Sequence, residues 1–398
     1  MGQLMSDELV INVSSGIIGS DLGFVDGWVN ISISDGIIQH IGRGKASGRN
    51  VIELGNSVAM PPLANLHVHI LDYVMPEVGW ELDLDDLVGD PYGVKYRVLS
   101  KSTPNELRNA INRFLKHSWM HGVGFIAEFR EGGLSNALLD FNSRPETHLV
   151  LGMPVNVSNA VSEFVEMVRY VDGLAISSPL YYSEDALKEL SMLIANLGVQ
   201  VHVHISETRE TREEGDLEYL LRYLRPNAIV HGTFLSRDEL ELLKELNIPL
   251  IICPRSNYWF IGRLPNIRAI YELGLEVGIG SDNACWIKCD LWRDLELLSN
   301  VLRPMGLLNP KWVLKAAVNS GIIGINNYLV EGGKANLLVI NSELTSINYS
   351  KDKYLALIKR GGPEVVELLM VNGKVRHCNE GLKNRFRELS VAFGFPSH

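Results

Sequence analysis

The sequence predicts an α/β fold, a (β/α)8 TIM barrel with a small β-sandwich domain built from both chain ends. Three observations predict it. Both ends of the 398-residue chain are rich in short strand-like runs. The middle alternates strand-like and helix-like segments about eight times over roughly 250 residues, which is typical of a (β/α)8 barrel. Polar residues with useful chemistry follow many of those runs. The alternation of strands and helices is also compatible with a doubly wound sheet. Such a sheet would not so readily place reactive polar side chains at the ends of so many strands.

The composition is that of an ordinary soluble globular enzyme, with 46% apolar and 21% charged residues. The net charge of −10, from 47 acidic and 37 basic residues, argues against nucleic acid and anionic membrane as main partners. Four cysteines are too few for a disulfide framework and indicate a reducing, cytoplasmic compartment. The start "MGQLMSDELVINV" has no leader pattern. We therefore expect a small-molecule substrate as partner, and a homodimer stays open.

Both chain ends consist of short strand-like runs that are interrupted by turn residues. In residues 1–57, "GWVNISISDGIIQHIG" alternates apolar and polar residues around Asp35-Gly36, which predicts a hairpin. In residues 325–380, "KANLLVINSE" and "VVELLMVNGKVRH" are strand-like, and the second contains an Asn372-Gly373 turn. These two segments are predicted to form one β-sandwich, and residues 381–398 a C-terminal tail.

Residues 58–324 are predicted to form the barrel. The eight strand-like runs are "VAMPPLANLHVHI", "GFIAEF", "HLVLGMPV", "GLAIS", "VQVHVHI", "AIVHG", "IPLIICP" and "LEVGIGSD". The helical patterns fall at 104–121, 159–170, 184–197, 215–224, 236–246, 266–273 and 290–302. Because the carboxyl ends of barrel strands lie on one face, residues that follow different strands converge there.

The residues at those strand ends favour a metal site. His67 and His69 end the first run and share one side of a strand, being two residues apart. His204 and Asp282 enter from the fifth and eighth runs. Three imidazoles and one carboxylate suit a single divalent metal, zinc first and iron(II) as the alternative. Such a metal lowers the pKa of a bound water.

Further residues beside that set are suited to handling protons. Glu207 lies three residues after His204, where a carboxylate can carry protons without binding the metal. His231 ends the sixth run and can hold or polarise the water. His202 points the same way as His204 but lies about 6–7 Å deeper, at about 3.3 Å per residue. We therefore interpret His202 as an interior residue and not a ligand.

Five ordered motifs, "PPLANLHVHI", "VHISET", "IVHGT", "CPRSN" and "GIGSDN", give the chain a resemblance to the amidohydrolase superfamily. It is most similar to the mononuclear-metal branch of guanine and adenosyl-type deaminases and s-triazine chlorohydrolases. The resemblance implies metal binding by His67, His69, His204 and Asp282. It also implies Glu207 as the acid/base, His231 as a water-orienting residue, and Asp282 as acceptor of the water proton. Binuclear relatives carry a lysine after strand four, where this chain reads "DGLAISSPLYY", so one metal is expected.

The sequence therefore predicts a metal-dependent hydrolase that deaminates an amino-substituted heterocycle of purine, pterin or pyrimidine type. A cyclic-amide hydrolase or chlorohydrolase with the same site is the alternative, and a non-catalytic metal-binding scaffold is a third reading. Predicted substrate contacts lie near strand ends and in the long insertion 72–102. They are Arg130, Glu131, Arg255, Asn257, Trp80 and Tyr92. The plainer alternative for the arginines is that each pairs with nearby acids to brace a loop.

Overall fold

The computed structural model describes residues 8–48, 50–89 and 92–389. Residues 1–7, the first part of the start in which no leader pattern is predicted, and residues 390–398, the end of the predicted tail, lie outside the described part of the chain.

Strands and helices alternate through the middle of the chain. The strands are β1 (Leu9–Ile18), β2 (Gly23–Ser34), β3 (Ile37–Arg43), β4 (Val51–Met60), β5 (Leu63–His69), β6 (Val123–Arg130), β7 (His148–Gly152), β8 (Gly173–Ile176), β9 (Gln200–Ile205), β10 (Ala228–His231), β11 (Leu250–Ile252), β12 (Val277–Ile279), β13 (Asp282–Asn283), β14 (Leu337–Asn341), β15 (Val366–Val371) and β16 (Lys374–Cys378). The α-helices are α1 (Leu84–Val88), α2 (Val94–Leu99), α3 (Pro104–Met120), α4 (Gly133–Ala137), α5 (Ala160–Met167), α6 (Glu184–Leu197), α7 (Arg209–Glu213), α8 (Asp216–Tyr223), α9 (Arg237–Glu245), α10 (Pro254–Ile261), α11 (Ile267–Leu273), α12 (Leu291–Leu302), α13 (Pro310–Val318), α14 (Lys353–Arg360) and α15 (Glu380–Glu388). Short 3-10 helices lie at Ile70–Val74, Val157–Asn159, Pro179–Tyr181, Ser320–Ile323, Ile347–Tyr349 and Pro363–Val365.

The chain ends build one seven-stranded sheet, in the order β16-β15-β14-β4-β1-β2-β3. Only β1 and β4 pair in parallel; the other neighbours are antiparallel. Alternate residues of these strands enclose a separate apolar core that includes Ile11, Ile31, Leu337 and Phe386. The predicted β domain from both termini is therefore present. Its division from the barrel at residues 57 and 324 stays a prediction, since β4 runs on to Met60.

The central sheet is the predicted barrel. Strands β5 to β12 follow one another in parallel, and β13 pairs in parallel with β5, which closes the ring. The eighth strand is thus split into β12 and β13 around Gly280 and Ser281. A Cβ at position 280 would lie 2.7 Å from the Cβ of His67, so only glycine allows this strand to pass so close to the first one.

Local signals fix the helices that surround the barrel. Helix α3 starts with a capping box between Thr103 and Glu106 and has proline in its first turn. A second capping box, Ser236 with Glu239, starts α9. All seven predicted helical segments are confirmed. Four longer helices that no pattern had indicated are α10, α13, α14 and α15. Helix α14 packs against α12 and α13, so part of the C-terminal segment covers the barrel.

Strand β5 and helix α3 are joined by a long segment, residues 70–103, which corresponds to the predicted insertion. It contains α1, α2 and one 3-10 helix. Within the described residues, none of the helices has both the length and the apolar character needed to cross a membrane.

Candidate active site

Three imidazoles and one carboxylate converge at the carboxyl end of the barrel. His67 Nε2 lies 3.2 Å from Asp282 Oδ1 and 3.3 Å from His204 Nε2. His69 Nε2 lies 3.5 Å from the same Asp282 oxygen. His67 is fully buried, and His69 and Asp282 are each 5% exposed. The four residues come from β5, β9 and β13, so the closure of the barrel is what brings them together.

These spacings fit a divalent metal. In a tetrahedral zinc site with bonds of about 2.0–2.1 Å, ligand atoms lie about 3.3 Å from one another. The measured 3.2, 3.3 and 3.5 Å separations match that edge length. Two imidazole nitrogens at 3.3 Å and a carboxylate oxygen beside them are also a common donor set for such ions. The residues present therefore fit the metal that the sequence predicts.

The protonation of His67, His204 and Asp282 also suits metal binding. Burial lowers the pKa of His67 to about 3. Burial and the neighbouring His67 hold the pKa of His204 well below its usual range. Although burial alone would raise it, the hydrogen bond with His67 keeps the pKa of Asp282 well below its usual range. Neutral imidazoles and an ionised carboxylate are the forms that coordinate a cation.

Strained backbone marks the strand ends that carry the site. Ser206, His231 and Asp282 have φ angles of 46°, 72° and 63°, in the left-handed region that residues other than glycine seldom adopt. Ser206 is held by Asp216, which accepts from its backbone N–H at 2.5 Å and from its hydroxyl at 2.8 Å. Asp282 Oδ2 accepts from the Ser256 hydroxyl at 2.5 Å. Such strain persists only where surrounding contacts over-determine it, and it clusters at functional sites.

Asn257 sets the tautomer of His231. Its Oδ1 accepts from the backbone N–H of Cys253 at 3.3 Å, which fixes the orientation of the amide. Its Nδ2 therefore donates to His231 Nδ1 at 3.1 Å and to Thr233 Oγ1 at 3.0 Å. Because Nδ1 accepts, the neutral ring carries its proton on Nε2. That N–H faces Glu207, whose Oε2 lies 3.6 Å away.

The residues His67, His69, His204 and Asp282 are called the metal-ligand set below, after their predicted role. Glu207 lies beside this set but takes no part in the short contacts between its four members. Its side chain is 21% exposed, towards the cavity. Burial raises the pKa of Glu207, although His231 acts in the opposite direction. A carboxyl group with a raised pKa in a cleft is suited to general acid/base work near neutral pH.

A cavity of about 350 Å³ lies over these groups. That volume is within the range of small-molecule pockets. Its wall includes His69, His204, Glu207, His231 and Asp282. The further wall residues that sequence patterns had not indicated include Asp85, Tyr96, Met153, Ser178, Tyr181 and Phe260. Several of them come from the 70–103 segment and from loops without a periodic pattern, which is why no sequence signal pointed to them.

Arg130, a predicted substrate contact, does not line the cavity and has the loop-bracing arrangement instead. Its guanidinium is fully buried and pairs with both oxygens of Glu128 at 2.6 Å. It also donates to Asp140 at 3.0 Å, and His148 lies 2.6 Å from Glu128. Phe129 contacts His67 and His204 inside the barrel, so its strand neighbours Glu128 and Arg130 point to the opposite side.

Arg255 and Asn257 also lie away from the cavity wall, contrary to the predicted substrate contacts. The guanidinium of Arg255 pairs with Asp294 at 2.7 Å and donates to the Lys288 carbonyl at 2.6 Å. This is the loop-bracing alternative. Asn257 is 1% exposed and lies behind His231. It acts on the site through that histidine.

Trp80, Tyr92 and Glu131, the other predicted substrate contacts, do not line this cavity either. Trp80 and Tyr92 are 71% and 86% exposed, and neither belongs to the cavity wall. Their segment has no strand or helix period from which a direction could be predicted. Glu131 is 1% exposed and its Oε1 bonds to His69 Nδ1 instead of facing the cavity over the metal-ligand set.

His202 is placed as the sequence predicts, inside the barrel and outside the metal-ligand set. It is fully buried, and neither ring nitrogen has a hydrogen-bond partner among the described residues. Burial lowers its pKa to about 3.

Comparison with known proteins identifies the family. The family model described as "Amidohydrolase family" matches residues 58–376, most of the chain. The chain belongs to the amidohydrolase family. This confirms the resemblance read from the five motifs.

Two curated relatives match this amidohydrolase over most of their length. A putative aminohydrolase of Methanothermobacter thermautotrophicus is 28% identical over 368 residues, covering 87% of this chain and 94% of the relative. A 5-methylthioadenosine/S-adenosylhomocysteine deaminase of Pyrococcus furiosus is 25% identical over 386 residues, covering 87% and 90%.

Solved structures share the fold of this amidohydrolase. Guanine deaminase from C. acetobutylicum superposes with a TM-score of 0.77 at 18% identity, covering 92% of this chain and 99% of that one. Atrazine chlorohydrolase from Arthrobacter aurescens TC1, solved with zinc, gives 0.79 at 16% identity, covering 96% and 99%. These likenesses confirm the predicted barrel with its terminal β domain.

Proposed function

We propose that this amidohydrolase is a zinc-dependent deaminase of an amino-substituted heterocycle. The observation that carries the proposal is the convergence of three imidazoles and Asp282 with Glu207 and His231 under one small cavity. The deaminases among its relatives support the reaction class. Iron(II) is the alternative metal, and the cytoplasmic location and a homodimer stay predictions.

His67, His69, His204 and Asp282 would hold the metal, which when bound lowers the pKa of a water molecule to near neutral. The remaining steps belong to the chain. Asp282 receives a proton from the attacking water, and Glu207 gives a proton to a ring nitrogen. Water oxygen bonds to the carbon that bears the amino group, and the C–N bond breaks. The amino group takes the proton held by Asp282 and leaves as ammonia, and the proton of the new hydroxyl group returns to Glu207.

His231 orients the oxygen of the attacking water through its Nε2–H. Its neighbour Glu207 lies 3.6 Å from that nitrogen, so donor and acceptor face the same part of the cavity. A donor with a fixed tautomer beside a carboxyl of raised pKa is the arrangement that proton transfer requires. A metal-binding scaffold without catalytic activity is the third function that the sequence leaves open. Such a scaffold would not need His231 and Glu207 as a proton-handling pair.

The test is Glu207→Gln, which keeps the shape of the side chain and removes its proton transfer. We expect a loss of about 10²- to 10⁴-fold in kcat, with zinc content unchanged. Ammonia release is measured on a panel of aminopurines, aminopterins and aminopyrimidines. Glu213→Gln is the matched control, because Glu213 lies on the exposed side of α7. Full turnover by metal-loaded Glu207→Gln would show the proposal to be wrong.

Chloride displacement or opening of a cyclic amide is the second candidate, favoured by the likeness to atrazine chlorohydrolase. The same residues would deliver water to a carbon that bears chloride or an amide nitrogen. Chloride release, or loss of a cyclic amide without ammonia, from the same panel extended to chlorotriazines and cyclic amides would identify it.

A further inference from the structure

Beside the metal-ligand set lies a buried chain of charged groups that the proposed reaction does not use. Lys95, from α2, is 2% exposed, and Asp72 is fully buried. The Lys95 ammonium lies 2.5 Å from Glu131 Oε1 and 3.1 Å from Asp72 Oδ2. Glu131 Oε1 in turn bonds to His69 Nδ1. Three consecutive contacts thus join the 70–103 segment to one metal ligand.

The turn after β6 is built to place Glu131 there. Gly132 and Gly133 have φ angles of 88° and 60°, which glycine adopts without strain. A Cβ at Gly132 would lie 2.1 Å from the amide nitrogen of Asn136. That amide donates to the Glu131 carbonyl at 2.8 Å. The "EGG" sequence therefore turns the chain at once after the strand and aims the Glu131 side chain at His69.

The contact with Glu131 decides which nitrogen of His69 faces the metal-ligand set. A carboxylate accepts and cannot donate, so His69 Nδ1 carries a proton. His69 Nε2 is then the nitrogen that faces Asp282. Carboxylate partners of this kind fix the orientation of a ligating histidine and raise its basicity.

We propose that Lys95 is a positioning residue for the metal: it holds Glu131, and Glu131 holds His69 as a ligand. The inference rests on the metal site of the proposed function, but not on the reaction or substrate assigned to it. Lys95 belongs to the segment at the cavity mouth, so the packing of that segment and the geometry of the metal ligands are coupled through one ammonium group.

Removal of Lys95 has opposite effects on metal affinity depending on how Lys95 acts, and this makes the proposal testable. Lys95 is a cation near the metal, so if it acted only through its charge, its removal would tighten metal binding. If it orients Glu131, its removal weakens metal binding, because two buried carboxylates then lose their common partner. A direct contact of Lys95 with an anionic substrate would change KM and leave metal affinity unchanged.

The experiment measures zinc affinity by competition with a chromogenic chelator, on protein first freed of metal. Lys95→Met should bind zinc at least fivefold more weakly. Glu131→Leu should lose about 10- to 100-fold, the usual effect of removing a partner of a ligating histidine. Glu131→Gln keeps an oxygen that accepts from both His69 and Lys95, so it should lose less than Glu131→Leu. Lys101→Met, an exposed lysine of the same segment, is the matched control and should bind zinc like the parent protein.

Circular dichroism and a thermal melt show whether each variant is folded, and the visible spectrum of bound cobalt(II) reports the ligand geometry. We expect an altered spectrum for Lys95→Met and Glu131→Leu and a near-native one for Glu131→Gln. Folded Lys95→Met with unchanged or tighter zinc binding overturns the proposal. If Glu131→Leu does not fold, Glu131→Gln and Lys95→Met decide it, and unchanged affinity in both overturns it. Because affinity is measured without substrate, a failure of the deaminase proposal leaves this result intact.

Discussion

Replacing Asn257 by leucine tests how the site controls His231. Leucine has the same heavy-atom branching as asparagine, although it is larger, and it neither donates nor accepts. The substitution removes the hydrogen bond to His231 Nδ1 at 3.1 Å and the one to Thr233 at 3.0 Å. It also leaves the Cys253 N–H without its acceptor. The ring of His231 remains in place, but nothing then selects the tautomer with its proton on Nε2.

The expected loss of kcat/KM follows from the hydrogen bond between Asn257 and His231, because it is the only one of the three lost bonds that involves a residue proposed to act on the water. A neutral buried hydrogen bond contributes about 0.5–1.5 kcal/mol, and an unpaired buried group costs about 1–3 kcal/mol. We therefore expect a loss of about 1–2 kcal/mol in transition-state stabilisation. At 25 °C this is about a 5- to 30-fold decrease in kcat/KM. The free energy of unfolding should fall by a similar amount or more, since three bonds are lost.

The assay is ammonia release at low substrate concentration, with zinc content and folding checked for each variant. Thr233→Val is the control, because it removes the second acceptor of the same amide and leaves the His231 bond. Its kcat/KM should stay within about twofold of the parent value. A double-mutant cycle then separates direct from indirect action. Because Asn257 acts through His231, Asn257→Leu should add nothing further in a His231→Ala background.

Two results would refute this reasoning. Full additivity of Asn257→Leu and His231→Ala would mean that Asn257 acts on the reaction by another route. An unchanged kcat/KM in folded, zinc-loaded Asn257→Leu would mean that the tautomer of His231 does not limit the reaction.

Three further predictions follow from buried charges and from the metal. Arg130→Met should destabilise the fold by about 3–5 kcal/mol, because Glu128 and Asp140 lose their buried partner; a KM that rises while the melting temperature stays constant would instead support substrate contact. Since the pKa of His202 is lowered to about 3, its contribution to stability is complete above pH 6.5 and is lost as the pH falls towards 3. Between pH 7.5 and 5.0 the free energy of unfolding of the parent protein should therefore fall by about 2 kcal/mol more than that of His202→Leu, in denaturant titrations at equal metal content. The same pH dependence of the unfolding free energy in both proteins would contradict this. Removal of the metal with a chelator should abolish turnover and lower the melting temperature, both restored by zinc, whereas turnover by metal-free protein would exclude a catalytic role for the ligand set.

The barrel and the cluster of three histidines and one aspartate could be predicted because their signals are local and repeat. Each strand-like run of 4–7 residues is followed by a capped, amphipathic helix, and parallel strands put their carboxyl ends on one face. His67, His69, His204 and Asp282 follow from that rule together with their metal-binding side chains, as residues at the ends of β5, β9 and the eighth strand. The rule needs no knowledge of which strand lies beside which.

The substrate contacts could not be predicted, because a position at a strand end does not specify a direction. The strand β6 shows the physical reason. Ala127, Phe129 and Glu131 alternate with Glu128 and Arg130, so only one set can face the barrel interior. Once Phe129 is seen to contact His67, Glu131 must point inward and Arg130 outward. In the sequence each set has a charged residue at the strand end, Arg130 in one and Glu131 in the other, so residue type alone does not say which of them faces inward.

The left-handed backbone at Ser206, His231 and Asp282 sets the direction of the side chains at these strand ends. Each such residue costs of order 1–3 kcal/mol relative to a relaxed backbone, and none of the three is the glycine that would remove the cost. The compensating contacts are specific: Asp216 holds Ser206, Asn257 holds the His231 ring, and Ser256 holds Asp282. A relaxed strand end would rotate its side chain away from the point where β5, β9, β10 and β13 meet. The strain therefore accompanies the orientation that brings Asp282 to His67 and His231 to Glu207. Two of these three contacts come from Ser256 and Asn257 on α10, a helix that no periodic pattern indicates.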